Sequence, residues 1–208
     1  QGIMSYLNLF TEAGLDVEAL DIGPSALARL VRHSGARAWA EFPLMPNALL
    51  INIGAESSFL TVIWGRRLIL DRAIDFSESR MLLRLKNVLG LTEEMAETLL
   101  FNSGKSSEGE NEAQRMVAEV LRPELMLLHQ EINKTLVYMA SKTRGKSINV
   151  AYLAGGATRY LYLLSGLESQ LQVPVQIINA VSMFSTENKK NSIDESLGAK
   201  PGIALATG

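Results

Sequence analysis

Three apolar runs follow one another between Ala48 and Ala73, and no other feature limits the fold so strongly. Ala48 to Ile53 reads as a buried strand, and Phe59 to Trp64 and Leu68 to Ala73 are two more such runs. The second and third are joined around Gly65-Arg66, and a glycine-containing link between two such runs signals a hairpin. Helices are predicted next. One covers about 77–89 and ends at Gly90; the following one has Thr92 as N-cap ahead of Glu93 and Glu94. A polar loop at 102–112 leads into a long helix over about 113–141. Val117, Val120, Leu121, Leu125, Leu128, Ile132 and Leu136 fall near helical spacing there, and Pro123 should kink or split it. A strand at 147–154, a Gly-Gly turn, a helix to about Leu171 and a strand at 173–178 complete a mixed α/β order.

Ahead of the strands, residues 3–13 place Ile3, Tyr6, Leu7 and Phe10 on one helical face, with Gly14 as C-cap. Val17 to Ile22 reads as a short strand, and Pro24 opens a helix through about Arg32. Residues 33–47, with Gly35, Pro43 and Pro46, read as a connector and the best internal boundary. Residues 185–195 are polar and expected to be mobile. The chain starts at Gln1-Gly2 without a methionine or signal peptide and stops inside an apolar stretch, so it is expected to be a fragment of a longer protein.

Composition removes several chemistries. With no cysteine among 208 residues, disulfides, thiolate metal sites, iron–sulfur clusters and a cysteine nucleophile are excluded. Only His33 and His129 are available for imidazole ligation. Twenty basic residues against 22 acidic ones give a net charge of −2, which disfavours a general grip on nucleic acid. The longest charge-free run, Ser169 to Thr186, holds Pro174 and eight Ser, Thr, Asn or Gln residues, and is unsuited to spanning a bilayer.

Three local patterns could carry chemistry. In Leu49 to Ser58, a buried strand ends in Asn52, Gly54 and then Glu56, Ser57 and Ser58; amides at such a turn can face a phosphate, with hydroxyls adding hydrogen bonds. In Val150 to Ala157, a strand runs into Gly155-Gly156-Ala157, where small residues let a ring or phosphate approach the backbone. Glu93 to Leu100, including Glu97, places acids near a helix start. Taken singly, each has a plainer explanation as a hairpin, a strand-to-helix turn and a favourable helix dipole.

In this order and spacing they resemble the back half of the actin-like ATPase (ribonuclease H-like) fold, and within it the type IV pilus assembly family of PilM, related to FtsA. The resemblance covers nearly the whole chain. Asn52-Ile53-Gly54 through Ser58 stands where that family has its second phosphate motif. Gly65, Leu68 and Arg72 match its hairpin, Ala96-Glu97 a nucleoside-contacting motif, and Gly155-Gly156 the adenosine motif. The resemblance implies an α/β fold with a mixed sheet flanked by helices. It assigns residues 1–46 to the end of a first actin-like domain and its connector. Residues 47–208 become the second domain, with a helical insertion near 77–115 and a return segment at 196–208. It further implies Asn52, Gly54, Glu56, Ser57, Ser58, Glu97, Gly155, Gly156 and Ala157 as cofactor-binding positions, with ATP and magnesium as the cofactor of the full-length protein.

The chain also departs from that family. The acidic residue of the second phosphate motif is Asn52, which has no charge for positioning magnesium. The lysine of the nucleoside motif is Leu100, the third adenosine glycine is Ala157, and a further glycine is Tyr162, expected near the base pocket. The Gly-Gly that usually follows the hairpin is replaced around Ser77-Glu78. Nucleotide binding is therefore expected to be weakened or lost, hydrolysis absent, and this fragment to hold no nucleotide.

The leading functional expectation is an adaptor at the cytoplasmic face of the inner membrane. By resemblance it binds the tail of a PilN-like membrane protein and links the pilus platform to its motor ATPases. The alternatives are a working ATPase or small-molecule kinase or phosphatase of the same fold, a polymerising scaffold, and the actin-like part of a type II secretion platform protein. Other signals carry less. Gly104-Lys105-Ser106 lacks the earlier glycine of a P-loop, Asp71 and Asp75 read as a solvated hairpin end, and Ser57 and Ser58 have no neighbouring histidine to activate them.

Overall fold

A computed structural model describes residues 2–38, 47–65, 67–104 and 112–178. The expected strand succession is present as β1 (Ala48–Ile53), β2 (Ser58–Trp64) and β3 (Arg67–Ile74). Each pairs antiparallel with the next, from Ile53 opposite Ser58 at one turn to Trp64 opposite Arg67 at the other. Gly65 sits at φ +55°, a left-handed angle that this link requires and glycine adopts without strain. The strands β4 (Val150–Ala154) and β5 (Val175–Ile177) add on the other side of β1, both parallel, giving the order β3-β2-β1-β4-β5. This is a mixed sheet.

Helices cover both faces, and strand alternation decides which residues meet which helix. Leu49, Ile51 and Ile53 of β1, with Leu60, Val62, Ala151 and Leu153, join one core with α3 (Glu78–Leu89), α4 (Glu93–Asn102), α5 (Glu112–Lys142) and α6 (Leu161–Leu171). Ala48 and Leu50, with Ile63, Val150 and Tyr152, join a second core under Leu27, Leu30 and Val31 of α2 (Gly23–Ala38). β1 is apolar on both sides because it is covered on both sides.

Local signals fix several helix ends. Ser77 caps α3 by accepting from the Arg80 N–H at 3.3 Å, and Gly90 ends it at φ +66°. Thr92 caps α4 by accepting from the Met95 N–H at 3.3 Å. In α1 (Gly2–Glu12) the expected apolar face forms, and Leu15 N–H donates to the Phe10 carbonyl at 2.9 Å around Gly14, but no residue of this helix is buried.

Other expectations need correction. Val17 to Ile22 is not a strand: Val17, Leu20 and Ile22 are exposed, and among the described residues no strand pairs with the segment to complete a ladder. The helix opened by Pro24 runs on to Ala38 rather than stopping at Arg32, because one glycine costs a helix only about 1 kcal/mol. Pro123 does not split α5, which is one helix throughout. The fourth strand starts at Val150 rather than 147, since Asn149 instead exchanges hydrogen bonds with Asn47 (2.8 and 2.9 Å). Pro174, lacking an N–H, leaves only Val175–Ile177 as strand, although its carbonyl still accepts from Ala151 at 2.9 Å. The segments 185–195 and 196–208 and most of the 102–112 loop lie outside the described residues. Among the described residues, no helix is long and apolar enough to cross a membrane.

Candidate functional site

Parallel pairing of β1 with β4, through Asn52 opposite Ala154, brings two turns together at the carboxyl end of the sheet. One is Gly54 to Ser57 and the other is Gly155-Gly156. Here the connections part: β1 leads to β2 on one side, and β4 leads to β5 on the other. Crevices of this kind, at a topological switch point, are where open α/β sheets take ligands. The structure thus gathers Asn52, Gly54, Glu56, Gly155, Gly156 and Ala157 into one region from positions a hundred residues apart.

The first turn is closed on itself and docked. Gly54 N–H donates to the Ser57 carbonyl at 3.1 Å, and a Cβ on Gly54 would stand 2.5 Å from that oxygen. The Gly54 and Ala55 carbonyls accept from Glu78 N–H (3.0 Å) and Ser79 N–H (2.9 Å) in the first turn of α3. The Glu56 carboxylate accepts from the Ser79 hydroxyl at 2.7 Å. Ser57 is exposed, whereas Ser58 is fully buried and its hydroxyl has no hydrogen-bond partner among the described residues.

The second turn is set by backbone crowding. Gly155 has φ +90° and ψ −178°, and a Cβ there would collide with the Ile53 carbonyl oxygen and lie 2.7 Å from Asn52 Oδ1. A single 3-10 turn, Gly156–Arg159, follows, with the Thr158 hydroxyl donating to the Gly155 carbonyl at 2.9 Å. Ala157 is fully buried.

The side chain of Glu78 enters between these turns. It is 5% exposed, and its Oε2 lies 2.6 Å from where a Cβ on Gly156 would stand. Its Oε1 accepts from the Tyr160 hydroxyl at 2.6 Å and from the Arg159 guanidinium. Arg159 also pairs with Glu97 on α4 at 2.9 Å and lies over the Tyr160 ring. Burial, and the hydrogen bond it donates to Glu78, push the Tyr160 hydroxyl well above the ordinary tyrosine range. Burial acts against the charge of Arg159, but the Tyr160 hydroxyl and the carboxylates of Glu78 and Glu97 hold its pKa above the usual value.

Chemically, this donor set does not suit a magnesium-bound phosphate. A phosphate against Gly156 would face the Glu78 carboxylate, and like charges at close range disfavour both. Asn52 offers an amide where a carboxylate would be needed for the ion. Among the described residues, no group of three or more His, Asp or Glu side chains could hold a metal.

Other residues that the resemblance singled out lie elsewhere. Leu100 is fully buried in the larger core, a place that would desolvate a lysine ammonium. Tyr162 lines a recess with Leu125 and Leu128 of α5. Sequence reasoning marked Ser77-Glu78 as a lost Gly-Gly but missed Arg159 and Tyr160. The available signal was a cation and a hydroxyl directly after a small-residue turn.

Comparisons with known proteins agree with this architecture. The family described as type IV pilus assembly protein PilM matches residues 2–208. No curated protein sequence matches the chain. Among solved structures, the PilM-PilN type IV pilus biogenesis complex is 24% identical with a TM-score of 0.73, over 98% of this chain and 55% of that one. The ethanolamine utilization protein EutJ from Carboxydothermus hydrogenoformans is 19% identical with a TM-score of 0.51, over 81% of this chain and 52% of that one. An MreB of Spiroplasma citri bound to AMPPNP is 14% identical with a TM-score of 0.57, over 84% of this chain and 58% of that one. The chain therefore spans little more than half the length of each, and at these identities the likeness establishes an actin-like fold. The family match runs from the second residue to the last, and on it the chain belongs to the PilM family of type IV pilus assembly proteins.

Proposed function

We propose that this chain is part of an actin-like adaptor in the type IV pilus assembly platform, one that works through partner binding with its nucleotide role weakened or lost. The observation that carries the second half of this reading is the Glu78 carboxylate, held by Arg159 and Tyr160 against Gly156 in the crevice. Family membership and the likeness to a PilM-PilN complex support the first half. The partner in this reading is the tail of a PilN-like membrane protein, with the pilus motor ATPases beyond it. The adaptor then acts at the cytoplasmic face of the inner membrane. Residues 1–46 would close a first actin-like domain and connect it to a second, 47–208, whose helical insertion lies near 77–115.

The test uses the full-length protein. Calorimetric titration with ATP, with and without magnesium, is expected to show no binding at millimolar nucleotide. A peptide from the tail of the PilN-like protein of the same genome is expected to bind. Micromolar ATP binding would overturn the nucleotide-independent reading, and a tail peptide that fails to bind would overturn the adaptor.

A further inference from the structure

The Glu78 carboxylate is a buried charge in an unusual place. Removing a carboxylate from water costs several kcal/mol unless ion pairing and hydrogen bonds offset it. Here the offset is complete on one oxygen, which takes both the Arg159 guanidinium and the Tyr160 hydroxyl. The other oxygen faces the small-residue turn at Gly156. Arg159 continues to Glu97. One carboxylate therefore ties the start of α3 to the β4–α6 turn and, through Arg159, to α4.

The surroundings are those that an anionic ligand would use. They comprise a guanidinium fork, a buried hydroxyl donor, two glycines without side chains, and a position at the switch point of the sheet. We propose that Glu78 is a built-in anion. Its carboxylate fills a site whose chemistry would otherwise take the phosphate groups of a nucleoside di- or triphosphate, and it closes the crevice with the protein's own charge. The α3, α4 and β4–α6 elements are thereby held together without a ligand. This inference rests on the reading above that the wild-type cleft takes no nucleotide.

The test compares full-length wild type, Glu78→Ala and the double variant Glu78→Ala with Arg159→Ala. Calorimetry and thermal unfolding are run with two probes, inorganic tripolyphosphate and ATP. Glu78→Ala is expected to bind both probes at least tenfold more tightly than wild type and to be stabilised by them. The double variant is expected to lose that gain. Folded Glu78→Ala that binds no better than a non-binding wild type overturns this inference and leaves the adaptor reading intact. Tight ATP binding by wild type overturns both. Should Glu78→Ala fail to fold, Glu78→Gln keeps the size and the acceptor for Tyr160 while removing the charge. A gain in tripolyphosphate binding by that variant supports the inference, and equal binding overturns it.

Discussion

Replacing Gly155 by alanine should be among the most damaging single-methyl additions in the chain. Two costs combine. The backbone at φ +90° and ψ −178° lies in a region that only glycine populates freely, and holding alanine there costs about 1–3 kcal/mol. The new Cβ would also collide with the Ile53 carbonyl oxygen and meet Asn52 Oδ1 at 2.7 Å. Ile53 is fully buried and ends the central strand, which pairs with β2 on one side and β4 on the other. It cannot withdraw without loosening ladder bonds worth about 1 kcal/mol each, and overpacking a filled site adds roughly 1–3 kcal/mol. The expected loss is about 4 kcal/mol, a large part of a typical domain's 5–15 kcal/mol. Gly156→Ala is the internal comparison. Its obstacle is the far end of the Glu78 side chain, 2.6 Å from the added carbon, which can rotate away at the cost of its ion pair. That loss should be about 1–3 kcal/mol. Urea unfolding of both variants measures the difference as a fall in midpoint at nearly constant slope. A Gly155→Ala protein destabilised by less than about 1 kcal/mol, or by less than Gly156→Ala, would refute the reasoning.

Three further predictions follow from particular groups. Ser58→Ala removes a buried hydroxyl that has no hydrogen-bond partner among the described residues, so thermal unfolding should show a neutral change or a gain of up to about 1 kcal/mol, and a clear loss would contradict this. Glu124 of α5 is 7% exposed and accepts from Arg80 of α3 at 2.7 Å, with Arg84 3.8 Å away. Since both arginines still reach water, Glu124→Ala should cost about 1–2 kcal/mol rather than the larger loss of a fully buried pair, and urea midpoints would reveal either extreme. Lys134 first, then Arg72, hold the Glu131 carboxyl below the usual glutamate range, against the opposing effect of burial. Its stabilising contribution is therefore complete above the ordinary glutamate value and lost as pH falls through the lowered folded one. Wild type should exceed Glu131→Gln in stability at pH 7 and converge with it in acid; a gap that stays constant between neutral and acid pH would contradict this.

Much of the fold was legible because its determinants are local. The three apolar runs, the glycine links, Thr92 as a cap and Gly90 as a terminator each act within a few residues, and each appears in the structure. Val17 to Ile22 misled because an apolar run becomes a strand only with a partner, and this one has none among the described residues. The burial of Leu100 was not legible because its position in a motif said nothing about which side of α4 it faced. At the candidate site, parallel pairing of β1 and β4 brought together the two turns that the sequence had marked. The contact at its centre joins Glu78 to Arg159 across 81 positions, and no local periodicity records such a partnership.

The glycines at the site have a consequence for how such motifs are read. Gly54 is required by its own turn, since a Cβ would crowd the Ser57 carbonyl. Gly155 is required by the approach of the Ile53 carbonyl, and Gly156 by the Glu78 carboxylate. Every one of these constraints comes from the protein itself. Selection for stability alone would therefore retain the small-residue pattern that makes the chain resemble a nucleotide-binding fold, since losing Gly155 alone should cost about 4 kcal/mol. A group that acts only on a ligand has no such protection, and the resemblance places an acid where Asn52 stands. The glycine pattern of this chain consequently reports the geometry of two adjoining turns, whereas the neutral amide of Asn52 and the carboxylate of Glu78 bear on what those turns can hold.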